Sequence, residues 1–190
     1  MGTAYGSDEN PITKSFKVEP GGKLVVDTDL GAIDVRGGEA NAVGITVNRE
    51  VRRGDAEKVL AEFKLDFEQR GNDVYVTGDS GRRGFHLFWN DMGNRLRVRF
   101  VITVPKTYNL ELKTSGGSVD VADIKGRVES RTSGGDLSYD RITGNVLGKT
   151  SGGDVRIGAV DGEVEVHTSG GDIKIGESQG NVLARTSGGN

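Results

Sequence analysis

Cysteine is absent from the 190 residues, so the chain holds no disulfide, no thiolate metal site and no thiol nucleophile. Histidine is nearly absent too. His86 and His167 lie far apart, and neither has the spacing of a Ser/His/Asp triad or a metal-ligand set. Proline occurs only three times. No apolar run is long enough to cross a membrane as a helix. Nor is there an excess of positive charge: 25 Lys and Arg stand against 28 Asp and Glu, a net charge of −3. Nucleic-acid binding would need a dense basic stripe, so that class of partner is excluded. What remains is one soluble domain or two small subdomains, compatible with either side of a bacterial membrane.

What the chain has in quantity is glycine, 31 residues, and the glycine is periodic. Thr-Ser-Gly-Gly begins at Thr114, Thr132, Thr150, Thr168 and Thr186, always 18 residues apart. A constant period without insertions means stacked units. With Thr as position 1, position 6 is Val119, Leu137, Val155 and Ile173, and position 8 is Val121, Tyr139, Ile157 and Ile175. Position 15 is Val in all four repeats (Val128, Val146, Val164, Val182), and position 13 is Gly126, Gly144, Gly162 and Gly180. Alternation of apolar and polar residues over short β-branched runs predicts two half-buried strands per coil. The glycines at positions 3, 4 and 13 predict corners with φ > 0. Positions 6, 8 and 15 should stack in buried columns, with the Thr hydroxyls bonded to one another or to backbone.

The N-terminal half carries a weaker copy. Val26 to Val35 aligns with Leu112 to Val121 and predicts a degenerate first coil, completed by Val43, Ile45 and Val47. Residues 12–48 are thus the first coil region and residues 96–190 the regular repeats. Residues 49–95 form an α+β insertion: a helix Ala56 to Phe63 capped by Asp55, a strand Phe63 to Phe67, a turn at Gly71-Asn72 and a returning strand through Val74 and Val76. Residues 1–11 are polar and lack a signal-peptide core, and read as disordered or as a linker behind a removed export signal. Asn190 is the fifth position of a new repeat, which suggests further coils.

This pattern resembles the bacterial putative-adhesin family of β-strand-repeat proteins, a domain of unknown function. The resemblance rests on Phe16-Lys17-Val18, Pro20 to Leu24, Gly31 to Val35, Val101 to Pro105 and the Ser-Gly-Gly-Asp repeats, covering roughly residues 12–190. It implies a β-helix in an exported or envelope-associated protein, and it brings no catalytic residues.

Three groups of residues are candidates for function. Position 5 is Ser118, Asp136, Asp154, Asp172 and Asn190. This carboxylate column would either bind Ca²⁺ or accept backbone N–H bonds at its own Gly-Gly corners, and the second is expected. Position 18 is Lys113, Arg131, Lys149, His167 and Arg185, a basic column suited to an anionic envelope glycan or simply a solvated edge paired with Glu129 and Glu165. The segment Phe85, His86, Leu87, Phe88 and Trp89 would cap the open end of the core or dock a partner.

The expected fold is all-β: a single-stranded parallel β-helix of 18-residue coils with a small α+β insertion. The expected role is a non-enzymatic structural or binding module of the cell envelope, outside the cytoplasm, with no cofactor or metal. Self-association through the C-terminal coil, around Val182 to Gly189, is the alternative, and a polysaccharide-active β-helix enzyme comes third.

Overall fold

The computed structural model describes residues 11–81 and 92–190. The described N-terminal part holds β1 (Ile12–Lys17), β2 (Lys23–Thr28), β3 (Ala32–Gly38), β4 (Ala42–Val51), helix α1 (Ala56–Glu62), β5 (Lys64–Arg70) and β6 (Asp73–Asp79). After a short α2 (Met92–Arg95) come β7 (Leu96–Pro105) and β8 (Asn109–Lys113). The repeats supply β9 (Val119–Lys125), β10 (Val128–Arg131), β11 (Leu137–Thr143), β12 (Val146–Lys149), β13 (Val155–Asp161), β14 (Val164–His167), β15 (Ile173–Ser178) and β16 (Val182–Arg185).

These strands form two sheets. The first runs β1-β4-β7-β3-β9-β11-β13-β15 and the second β16-β14-β12-β10-β8-β2-β6-β5. From β8 onward the chain alternates between them, and neighbours are parallel in a fixed register. Val128 lies opposite Val146, Val146 opposite Val164, and Val164 opposite Val182. Leu137 lies between Val119 and Val155.

The N-terminal segment that aligns with the repeats pairs with them in register. β2 places Val26 opposite Leu112, and β3 places Ile33 and Val35 opposite Val119 and Val121. Its expected completion is different. Val43, Ile45 and Val47 sit on β4, which runs antiparallel to both β1 and β7. Residues of the expected insertion also enter the two sheets. β6 pairs in parallel with β2, and β7 with β3, so chain order and stacking order diverge. Antiparallel β1, β4 and β5 finish this end of the sheets. Asp55 caps α1 by accepting from Lys58 N at 3.2 Å, and Val59 is buried beneath the helix.

Inside, columns at positions 6, 8 and 15 are buried down to Val155, Ile157 and Val164. The last coil departs from this: Ile175 is 37% exposed and Val182 43%. Position 11 (Ile124, Ile142, Val160) is buried although its odd offset from position 8 should turn it outward. Asp123 and Arg141, with φ of 62° and 52°, account for this in their coils. One left-handed residue flips the alternation, and the ion pair from Arg141 Nε to Asp123 Oδ1 at 2.6 Å lies over it.

The glycines need two different explanations. Position 13 fits the expectation at Gly126, Gly144 and Gly162, with φ of 156°, 137° and 155°, but not at Gly180, which has no positive φ. Close approach acts here too, since a Cβ on Gly144, Gly162 or Gly180 would fall 2.2–2.3 Å from the carbonyl oxygen of the glycine 18 residues earlier. Positions 3 and 4 do not: none of these glycines has positive φ. Position 4 is glycine because coils touch there. A Cβ on Gly135, Gly153 or Gly171 would sit 2.0–2.1 Å from the carbonyl oxygen of the matching glycine one coil earlier. Beside this contact, each position-1 Thr hydroxyl donates to that same carbonyl. Thr132, Thr150 and Thr168 bond Gly117, Gly135 and Gly153 O at 2.8 Å. The column is thus bonded to backbone, and each buried acceptor is satisfied.

Tyr139 is the one bulky member of the position-8 column, and its space comes from position 17. A Cβ on Gly148 would lie 2.5 Å from the Tyr139 hydroxyl. The small Gly148 is therefore the counterpart of the large Tyr139.

Candidate functional site

The second sheet brings the whole basic column together. Parallel register sets Lys113 beside Arg131, Arg131 beside Lys149, Lys149 beside His167, and His167 beside Arg185. Period-two alternation turns these side chains away from the core, because Thr114, Thr132, Thr150 and Thr168, which directly follow them, are buried. Adjacent strands set the spacing at about 4.8 Å per charge.

The column divides into two parts. At its start the charges are matched. Lys113 reaches Asp27 at 3.9 Å, and Arg131 reaches Glu129 at 2.9 Å. A cleft of about 220 Å³ lies here, lined by Glu111, Leu112, Lys113, Glu129 and Arg131. Further on, Lys149, His167 and Arg185 have no carboxylate within ion-pair distance among the described residues. Glu165, expected as a partner, makes no such pair there, and Leu147 and Leu183 occupy corresponding positions. A basic column without ion pairs beside exposed leucine is the result, with Leu183 45% exposed.

The carboxylate column is on the first sheet's side and is already occupied. Asp136 Oδ1 accepts from Asp154 N at 2.9 Å, Asp154 Oδ1 from Asp172 N at 3.0 Å, and Asp172 Oδ1 from Asn190 N at 2.9 Å. Each Asp therefore bonds the next coil, not its own corner as expected. The remaining oxygens of Asp136 and Asp154 share Arg156, at 3.1 and 2.8 Å. Backbone donors and one guanidinium remove the repulsion that a cation would otherwise screen. Chelator should leave the melting temperature unchanged. Asp154→Ala should cost about 1–3 kcal/mol, since it strands the Asp172 N–H and half of Arg156. Millimolar Ca²⁺ that raises the melting temperature in the parent but not in Asp154→Ala would contradict this.

Phe85, His86, Leu87, Phe88 and Trp89 lie outside the described residues. Among the described residues no group of three or more acidic or histidine side chains is placed to hold a metal, and no helix is long and apolar enough to cross a membrane.

Two charged features were not singled out in the sequence. Asp34 and Asp120 are cross-strand neighbours on the first sheet's outer face, beside a cleft of about 150 Å³. Burial, and then Asp34, push the Asp120 carboxyl above its ordinary range, while Asp34 itself holds Arg99 at 2.5 Å. The second is an arginine group at Arg49, Arg52, Arg53, Arg95, Arg97 and Arg99, visible in the sequence as Arg-x-Arg-x-Arg over 95–99 but split across two distant segments.

The two-sheet parallel stack, its repeat register and the matching N-terminal coil agree with one family description. Toastrack DUF4097 matches residues 22–190. The chain belongs to that family. No curated protein matches this Toastrack chain. Among solved structures it is similar to a "putative cell adhesion protein" from Clostridium sporogenes, at 12% identity and TM-score 0.32, covering 95% of this chain and 100% of that one. A "putative adhesin" from Bacteroides fragilis is similar at 15% identity and TM-score 0.34, covering 93% and 97%. A "putative lipid binding protein" from Parabacteroides distasonis is similar at 14% identity and TM-score 0.34, covering 96% of both chains.

Proposed function

We propose that this Toastrack chain is a non-enzymatic binding module of a bacterial cell envelope. Each 18-residue period is one coil of a solenoid, and the solenoid presents the position-18 column to an anionic envelope polymer. The observation that carries this reading is the register of Lys149, His167 and Arg185, basic side chains in line and, among the described residues, with no carboxylate within ion-pair distance. A strand ladder repeats its charges at a fixed pitch, which suits a ligand that repeats its own, such as an acidic glycan. The neighbouring leucines offer apolar contact to sugar faces.

The test is retention on immobilised polygalacturonate at low salt. The parent should bind and elute with rising salt. The double variant Lys149→Glu, Arg185→Glu should lose binding by about tenfold or more, since like charge then faces the polymer. Equal retention of parent and variant, or no retention of either, would contradict the proposal.

A further inference from the structure

The position-18 column changes chemistry once. Lys113, Arg131, Lys149 and Arg185 are lysine or arginine, and His167 is an imidazole among them. Lysine and arginine stay charged across the neutral range, whereas an imidazole gains or loses its charge between about pH 5 and 8. The exception falls in the part of the column that lacks ion pairs. Parallel register sets His167 between Lys149 on β12 and Arg185 on β16. The ring is half-buried and makes no ion pair or side-chain hydrogen bond among the described residues.

Its charged neighbours come from three strands. β12 and β16 contribute Lys149 and Arg185, each directly opposite the ring. β14 contributes Glu165, two residues earlier on the same outward side, with exposed Glu163 just before the strand. Leu147 and Leu183 lie opposite Glu165, so β12 and β16 bring no carboxylate there. The residues that follow, Thr168 and Ser169, are uncharged. With a neutral imidazole, the flanking cations stand two strand steps apart, about 9.6 Å, across an uncharged gap. Protonation closes the gap, at the cost of repulsion from both sides.

We propose that His167 is a proton-operated member of the column, so that the chain holds a polyanion more tightly in acid than at neutral pH. The inference rests on the reading of the column as a polyanion-binding surface and adds its regulation. A polymer lying along Lys149 and Arg185 brings negative charge over the gap. That charge offsets the repulsion which opposes protonation of the ring between them. Proton and polymer then favour each other, and the coupling is reciprocal. The sign follows from the imidazole: its charged form is the low-pH form. The added affinity is complete in acid and is lost as pH rises through the titration of the bound ring. The ligand must carry several anionic groups in a chain, because the three basic residues span two strand steps.

The experiment measures the affinity of the intact chain for dextran sulfate at about pH 5.5 and about pH 7.5, on either side of an ordinary imidazole titration. Ionic strength is held constant. Sulfate esters keep their charge over this interval, so a change in affinity belongs to the protein. The parent should bind roughly five- to tenfold tighter in acid, which corresponds to a rise of up to about one pKa unit in the ring on binding. His167→Gln should bind equally at both values, near the parent's neutral affinity. His167→Lys should bind equally at both, near the parent's acid affinity. His86→Gln, which removes the other histidine, should keep the response. Glu165→Gln should tighten binding at both values and keep a response of the same sign. A parent that binds at neither pH overturns the polyanion reading and this inference with it. Equal binding by the parent at both values overturns the inference alone. So does a response that survives His167→Gln, or one that disappears in His86→Gln or Glu165→Gln.

Discussion

Gly153→Ala should destabilise the protein by about 3–5 kcal/mol, while Gly152→Ala, one residue earlier, should be neutral or slightly stabilising. A Cβ on Gly153 would meet Gly135 O at 2.0 Å, Gly135 C at 2.3 Å and Asp136 N at 2.7 Å, all backbone atoms. No rotamer relieves such a contact. The coils must part, and parting them also stretches the Thr150 hydroxyl bond to Gly135 O. At Gly152 the nearest atom to a Cβ is Ser133 O at 3.7 Å, and φ is not in the left-handed range. Replacing that glycine mainly reduces the freedom of the unfolded chain. With total stability of about 5–15 kcal/mol, the first change takes a large share of it. Denaturant melts of the two variants decide the matter. Equal loss in both would mean that the Gly-Gly pair serves a backbone conformation rather than close contact between coils.

Tyr139 should show a second large contrast. Tyr139→Ala empties the widest part of a column that is otherwise aliphatic, and should cost about 3–5 kcal/mol. Tyr139→Phe should stay within about 0.5 kcal/mol of the parent or exceed it. The reason is that Tyr139 Oη and Ser130 Oγ are both shut off from water with no well-formed hydrogen bond among the described residues. Ser130 is near enough to act weakly on the phenol, so the hydroxyl brings little bonding to lose. Burial accordingly pushes the Tyr139 phenol well above its ordinary pKa. Gly148→Ala supplies the cross-check, because its Cβ would fall 2.5 Å from the same hydroxyl. It should be harmful alone and milder combined with Tyr139→Phe. Additive effects in that double-mutant cycle would show that the two positions do not share the space.

Much of this was legible from the repeat. The period assigned Val119, Leu137 and Val155 to one buried column, and the alignment of Val26–Val35 with Leu112–Val121 matched the strand register residue for residue. Asp55 announced its helix because capping is a local event. The misses share a cause, which is contact between coils. In sequence the Gly-Gly pair reads as turn conformation, but at position 4 it marks close approach of two backbones. An Asp beside Gly-Gly reads as an acceptor for its own corner, but each carboxylate bonds the backbone N–H 18 residues on. Position 11 escaped the alternation because left-handed Asp123 and Arg141 carry no sequence signature. Strand direction was likewise hidden: the alternation in Val43, Ile45 and Val47 is the same whether β4 runs parallel or antiparallel. The nearness of Arg49 to Arg97 and Arg99 needs β4 and β7 side by side, and nothing in either segment names the other.

The proposed binding surface depends most on the five basic residues forming one column with a single strand step between neighbours. Disulfide trapping tests this directly, because the chain has no cysteine of its own. Arg131→Cys with Lys149→Cys places two thiols on registered positions of adjacent strands, about 4.8 Å apart and within disulfide reach. Arg131→Cys with His167→Cys spans two coils, about 9.6 Å, beyond the roughly 7 Å limit between Cα atoms. Rapid crosslinking of the first pair and none within the second is the predicted result. A second pair that crosslinks as readily as the first would contradict the column and the binding surface built on it.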